Sequence, residues 1–279
     1  IVALGGGAVG NLAGMIAGLI FNGLRFIEIP TTMSHQTDST LSNKQAINGQ
    51  SGKNHFGFYY APLFIWTDTK YLITEPLRLK QAGIIKGIKN ALIDQAKLVP
   101  YLKKHLKPNG DYSPAELTDL CYQIIQSKIA ILKQDPSEKS YGIIVEYGHT
   151  FAHAIEWLAK GQLIHGEAVA IGMKMAAEVA FCLHYIDQNL YQLHYQLIDN
   201  CLQMSPALPI EIQAEHIITA IENNNKELGA GIHYVLLDRL GGCKAGQGNY
   251  LVEVDKILVT KILTKFIKTY NQYPAKQAG

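Results

Sequence analysis

A chain of 279 residues, 48% hydrophobic and 17% charged, can bury the core of one large domain or two ordinary ones. Its formal net charge is +2 and it has no dense Lys/Arg stripe, which argues against a nucleic-acid partner. No apolar run reaches roughly eighteen residues without a polar break, which argues against a membrane span.

The chain opens "IVALGGGAVGNLAG", with no methionine and no signal peptide. Residues 1–4 read as a buried strand already in mid-fold, so the expectation is that an N-terminal portion is missing. "GGGAVG" turns into a helix over about residues 8–21. "LRFIEIP" is a second strand, stopped by Pro30. Residues 31–54 are polar and Gly/Ser-rich, a loop too long to be a mere connector. "FIWTD" (64–68) is a third short strand. After Pro76 the apolar spacing becomes helical in "LKQAGIIKGIKNALIDQ", "SPAELTDLCYQIIQSKIAILK" and "HGEAVAIGMKMAAEVAFCLHY". Ser113-Pro114 supplies an N-cap and a first-turn proline, and "KPNGDYS" breaks the helices around it. "GIHYVLLD" and "NYLVEV" pair as a late hairpin, and a basic helix ends the chain. The expectation is an α/β piece over 1–75, joined between Glu75 and Pro76 to a mostly helical domain over 76–279. Cys121, Cys182, Cys201 and Cys243 lie far apart with no CxxC pair, the usage of a reduced, cytosolic protein.

Three clusters carry chemistry. Gly5, Gly7 and Gly10 satisfy G-x-G-x-x-G between a strand and a helix, where small residues let backbone N–H groups approach a pyrophosphate. Such turns also serve packing alone. Glu28 ends the next strand, the place of a ribose-binding acid, and "PTT" adds hydroxyls in a second loop. Asp38, Lys44, Asn48, Lys53 and Asn54 crowd one polar loop, either a solvated surface or a place for a phosphate or carboxylate. His149 and His153 stand four apart, on one helical face, with Glu146 and Glu156 extending the stripe. His165 starts the next helix after the turn "KGQL". Two antiparallel helices would return it to His149, and imidazoles converging with a carboxylate suit Zn²⁺ or a similar cation.

These stretches resemble the sugar phosphate cyclase family, whose parent member is 3-dehydroquinate synthase. The family's marks stand in order as "GGGAVGNLAG", "IPTT", "DSTLSNKQAINGQSGKN", "EYGHTFAHAIE" and "HGEAVAIGM". "LSNKQAIN", Glu146 in "EYGHT" and Asn11 in "GNLAG" are more similar to the 2-deoxy-scyllo-inosose synthase branch than to the dehydroquinate branch. The resemblance implies an N-terminal Rossmann-like NAD-binding domain, here partial, followed by a helical metal-binding domain in a homodimer. It implies transient oxidation of a sugar phosphate by NAD⁺, phosphate elimination, return of the hydride and an intramolecular aldol closure. In the inosose branch the substrate is glucose 6-phosphate. It implies cofactor contacts at Gly5, Gly6, Gly7, Asn11, Thr31, Thr32 and Asp38, and zinc or cobalt on His149 and His165. His153 falls beside the leaving phosphate. Lys44, Lys53, Asn54, Lys89, Lys128 and, less securely, Lys226 face the substrate, Lys44 with a catalytic part. Glu146 becomes the branch's general acid/base.

Three departures stand against this pattern. Lys86 in "GIIKGIK" occupies the place of the family's third metal ligand, a glutamate, and Asn22 and Gly142 replace arginines. An ammonium beside a dication is repelled, by roughly 4 kcal/mol even for unit charges near contact at an effective dielectric of ~20. The expectation is that Lys86 takes the metal's place, held by Glu146 and the imidazoles, and that metal is lost. A dehydroquinate synthase, a degenerate non-catalytic subunit and an ordinary NAD(P)-dependent dehydrogenase stay open as alternatives.

Overall fold

The computed structural model describes residues 1–49, 56–138, 140–225, 231–246 and 248–272. Its chain divides into two units, Ile1–Gly87 with Asn109–Pro136, and Ile88–Pro108 with Ser137–Gly279. The expected join at Pro76 falls inside the first unit.

In the first unit β1 (Val2–Gly5) runs parallel to β2 (Ile27–Pro30), in register from Val2↔Ile27 to Gly5↔Pro30. A parallel pair needs a crossover, and α1 (Gly7–Leu19) is that crossover. The helix stops two residues short of the expected end. Phe21, Asn22 and Gly23 all take positive φ (51°, 60° and 111°), which reverses the chain. Asparagine and glycine tolerate that region best.

Residues 31–54 are not one loop. They hold α2 (Met33–Thr37), a 3-10 turn (Ser39–Ser42) and β3 (Lys44–Ile47), which pairs antiparallel with β4 (Phe56–Tyr59). The polar composition that reads as a loop is spent on local capping. Thr32 Oγ1 accepts from the His35 N–H, while Thr37 and Thr40 hydroxyls donate to the Met33 and His35 carbonyls at 2.7 and 2.9 Å. Residues 64–68 form only a single bridge, Ile65 to Glu28.

α3 (Leu77–Ile93) begins in the first unit and ends in the second. α5 (Pro114–Leu132) starts as expected, with Ser113 and Glu116 exchanging a capping box. Gly83 and Gly87 of α3 have no room for a Cβ. One placed on Gly83 would lie 2.5 Å from the Ser34 nitrogen at α2, and one on Gly87 2.7 Å from Ile124 of α5. The glycines therefore let α3 pack tightly against both neighbours, with Lys86 between them in sequence.

The second unit contains α4 (Leu98–His105), a 3-10 turn (Tyr141–Glu146), α6 (His149–Leu158), α7 (His165–Cys182), α8 (Gln188–Tyr195), α9 (Ala214–Asn225) and α10 (Lys256–Gln272). α8 runs on into a π-helical turn, Gln196–Cys201. α7 is apolar nearly all round and is buried nearly throughout, against α6, α8 and α10. The late hairpin forms between β5 (His233–Tyr234) and β8 (Val252–Glu253), with a second antiparallel pair, β6 (Leu237–Arg239) and β7 (Gly242–Cys243), inserted between them in sequence. Phe151 of α6 stacks on Tyr234, ring centroids 5.0 Å apart. All four cysteines are free thiols. Among the described residues no helix is long and apolar enough to cross a membrane.

Candidate active site

In the first unit the glycine turn and the "PTT" loop meet. Gly6 caps α1 with extended backbone, Thr32 caps α2, and the Thr31 N–H donates to the Gly5 carbonyl at 2.9 Å. A Cβ on Gly6 would stand 3.1 Å from Thr32 Cγ2 and 3.5 Å from Thr32 Oγ1, and one on Gly7 would stand 3.7 Å from Ser39 Oγ. Gly5, Gly6, Gly7, Thr31 and Thr32 thus form a shallow cradle at the positive end of α1. No side chain caps that end, so its first N–H groups are available to an anion. The cradle fits a pyrophosphate. Asn11 locks it from behind, donating to the Gly7 carbonyl at 2.9 Å and accepting from the Ala46 N–H of β3 at 2.8 Å.

Glu28, at the place of a ribose-binding acid, is buried. Its side chain turns inward at 1% exposure and accepts from Gln45 Nε2 at 3.4 Å. Burial pushes its pKa up. Strand alternation puts Glu28 and Pro30 on one face of β2, and that face is the buried one.

Asp38, at the C-terminal end of α2, sits between two buried ammonium groups. Lys86 Nζ lies 3.2 Å from Oδ2 and Lys128 Nζ 3.4 Å from Oδ1, with the lysines 3% and 4% exposed and the aspartate 17%. The carboxylate found for Lys86 is therefore Asp38, not the expected Glu146. Its route is set by Gly83 and Gly87, which press α3 against the elements that carry Asp38 and Lys128. Lys44, on β3, places its ammonium 6.0 Å from the Tyr59 ring centroid across the hairpin. Lys53, Asn54 and Lys226 lie outside the described residues.

In the second unit the three imidazoles converge. Ring centroids are 5.5 Å apart for His149–His153 and for His149–His165, and 5.9 Å for His153–His165. His149 opens α6 and His165 opens α7. The helices approach this closely because Gly148 takes φ +77° and its carbonyl stands where a Cβ on Gly172 would be, 2.2 Å away. The same left-handed Gly148 corrects the expected stripe. Glu146 ends the preceding 3-10 turn and is not on α6. Lys89, buried on α3, donates to the Val145 carbonyl at 2.6 Å and so anchors the residue before Glu146.

The hydrogen bonds define which nitrogens are presented. His149 Nδ1 faces the Tyr147 carbonyl at 3.2 Å, and His165 Nδ1 faces Glu156 Oε2 at 3.0 Å. A carbonyl and a carboxylate only accept, so both Nδ1 atoms carry a proton, and in the neutral imidazoles the lone pair is on Nε2. That outer-shell arrangement orients histidines for a cation. Tyr147 is itself held, its hydroxyl 2.8 Å from His194 Nε2. Two imidazoles thus fit a zinc or cobalt ion. Among the described residues, however, no three His, Cys, Asp or Glu side chains are arranged as a complete metal site.

Family models for the N-terminal and C-terminal parts of 3-dehydroquinate synthase match residues 1–82 and 83–227. The chain belongs to the 3-dehydroquinate synthase family. Within it, the chain is 38% identical over 226 residues to 2-deoxy-scyllo-inosose synthase of Streptoalloteichus tenebrarius, covering 81% of this chain and 58% of the relative. It is 39% identical over 226 residues to the Niallia circulans 2-deoxy-scyllo-inosose synthase, covering 81% and 61%. The chain therefore spans about three fifths of the length of these relatives. A crystal structure of 2-deoxy-scyllo-inosose synthase complexed with carbaglucose-6-phosphate, NAD⁺ and Co²⁺ superimposes with a TM-score of 0.88 at 36% identity, over 95% of this chain and 73% of that one. The family's fold, an α/β nucleotide domain and a helical domain, is the fold of this chain.

Sequence reasoning missed Tyr147 altogether and, for Glu156 and Asp38, the partners they hold. Tyr147 and Glu156 fix the histidine tautomers, and Asp38 joins Lys86 to Lys128. Glu156 was in view as part of a helical stripe, nine positions before His165. Only the antiparallel return of α7 turns that separation into a hydrogen bond.

Proposed function

We propose that the chain is an NAD-dependent sugar phosphate cyclase of the 2-deoxy-scyllo-inosose synthase type, acting on glucose 6-phosphate. The observation that carries this reading is the pair of imidazoles with oriented Nδ1 atoms, in a chain 36% identical to a 2-deoxy-scyllo-inosose synthase complexed with carbaglucose-6-phosphate, NAD⁺ and Co²⁺. Residues 1–75 belong to the C-terminal part of the NAD-binding domain and 76–279 to the metal- and substrate-binding domain. The protein works as a cytoplasmic homodimer, a location that suits its four free, dispersed thiols.

NAD, when bound, supplies the acceptor and donor of hydride, and a zinc or cobalt ion on His149 and His165 polarises the substrate oxygens. The chain's own groups do the rest. The Gly5–Gly6–Gly7 backbone, Thr31 and Thr32 hold the cofactor's pyrophosphate, with Asn11 keeping the turn in place. Asp38 orients the ammonium groups that face the substrate from the same unit. Lys44, Lys53, Asn54, Lys128 and Lys226 attract and orient the phosphate ester. Glu146 takes a proton from carbon and returns it, and Lys89 sets its position through the Val145 carbonyl. His153 donates to the departing phosphate. The full gene product should release inorganic phosphate from glucose 6-phosphate and yield a carbocyclic ketone by NMR. No phosphate release, or turnover of the dehydroquinate synthase substrate instead, would overturn the reading.

A second reading rests on Lys86, whose ammonium lies where the family has a carboxylate and is paired with Asp38. It makes the chain a non-catalytic relative. Metal analysis of the purified protein separates the two, because the cyclase requires about one tightly held equivalent.

A further inference from the structure

A cavity of about 930 Å³ lies in the second unit, lined by α7, α8, the π-helical turn after it and α10. None of His149, His153 and His165 lines it, although His165 opens α7. Lys174 projects from the middle of the largely apolar α7 and is 1% exposed. Its ammonium is bonded to Asp199, which the rare π-helical geometry turns inward. The Tyr195 and Tyr270 rings flank the ammonium, each centroid 5.2 Å from Nζ. Asp199 also accepts from the Ser205 hydroxyl, and Tyr191 donates to Glu178 Oε1's partner oxygen, Oε2, at 2.6 Å. Burial lowers the Lys174 pKa, and Asp199 opposes the shift.

A salt bridge kept only as a staple between helices would be closely packed around. Here a volume inside the roughly 300–1,000 Å³ range of small-molecule sites stands beside it. The wall carries Lys174 and Lys265 against Glu178 and Asp199, so its formal charge balances and favours a neutral occupant. An ammonium has three donors, and Lys174 has one side-chain oxygen among its partners. An adjacent cation and carboxylate match two neighbouring hydroxyls, one accepting and one donating. Tyrosine faces suit the C–H faces of a saturated ring.

We infer that this cavity is a binding site for a neutral, polyhydroxylated six-membered ring, a free sugar or cyclitol. The inference does not rest on the proposed reaction. Titration of the full-length protein with myo-inositol, followed by saturation-transfer NMR, tests it. Saturable binding is expected, with none for cyclohexanol. Glu178→Gln should weaken the inositol affinity about tenfold and Tyr191→Phe several-fold, while His149→Ala leaves it unchanged. Asp199→Asn exposes Lys174 to an unpaired burial and can fail to fold, so Glu178→Gln, on the rim, is the deciding variant, with its circular dichroism checked against wild type. No saturable binding, equal binding of cyclohexanol, or an unchanged affinity in Glu178→Gln would overturn the inference.

Discussion

Replacing Asp38 by asparagine removes the carboxylate shared by Lys86 and Lys128 while keeping its shape. At 3.2 and 3.4 Å, each attraction amounts to about 5 kcal/mol at an effective dielectric of ~20, before the lysines' mutual repulsion and their desolvation are set against it. Breaking a buried pair by removing one partner typically costs about 3–5 kcal/mol. Asp38 keeps some contact with solvent, so about 3 kcal/mol is expected for Asp38→Asn. Lys86→Met is the informative contrast. It leaves Asp38 paired with Lys128 and removes an ammonium that had to be desolvated. Because Asp38 keeps Lys128 as a partner, no carboxylate is left without a cation, and the loss is expected to stay within about 1 kcal/mol. Urea unfolding in a Trp157→Phe background measures both, because Trp66, in the first unit, is then the remaining tryptophan. If Lys86→Met were as damaging as Asp38→Asn, the shared-carboxylate account would fail.

Three further outcomes follow from the geometry. Glu156→Ala releases His165 Nδ1, and cobalt affinity, read from the visible absorption of the bound ion, should fall about 10- to 100-fold. Gly148→Ala forces a side chain to φ +77°, with its Cβ 2.8 Å from the Met173 nitrogen; a loss of at least ~2 kcal/mol in urea unfolding is expected. Burial holds His35 and His194 down at about 4, against 6.5 when unfolded. Between those values the unfolded chain binds protons that the folded chain refuses, so stability falls as pH drops from 6.5 to 4, by up to about 3 kcal/mol for each histidine. His35→Gln should flatten the pH dependence of the urea midpoint, and an unchanged slope would exclude His35 from it.

What was legible in the sequence was what local chemistry decides. The α5 start was readable because Ser113, Pro114 and Glu116 settle it among themselves. The convergence of His165 on His149 was readable because a short turn leaves two helices little choice but to run antiparallel. The segment after Thr31 misled because hydroxyls that cap short elements have the same composition as a solvated loop. The inward turn of Glu28 was invisible because the strand's exposed face depends on what α1 and Gln45 cover. The stripe through Glu146 failed at one residue, since Gly148 in the left-handed region ends one element and starts another.

Lys86 shows how a substitution can be at odds with a family's chemistry and consistent with its own surroundings. With Lys86, the group of Lys86, Asp38 and Lys128 carries a formal charge of +1. A glutamate at the same position would make it −1 and would set two carboxylates against Lys128. The change of two charges matters to any anion near the group. At an effective dielectric of ~20, a unit charge ~8 Å away contributes about 2 kcal/mol. Phosphate binding to the wild-type protein is thereby favoured, and Lys86→Glu should weaken it at least about tenfold, with Lys86→Met falling between the two. Calorimetric titration with inorganic phosphate at low ionic strength reads the order directly, and added salt should narrow the differences. Equal phosphate affinities across the three proteins would mean that the charge of this cluster is spent on folding alone, and that the anion is drawn by other groups.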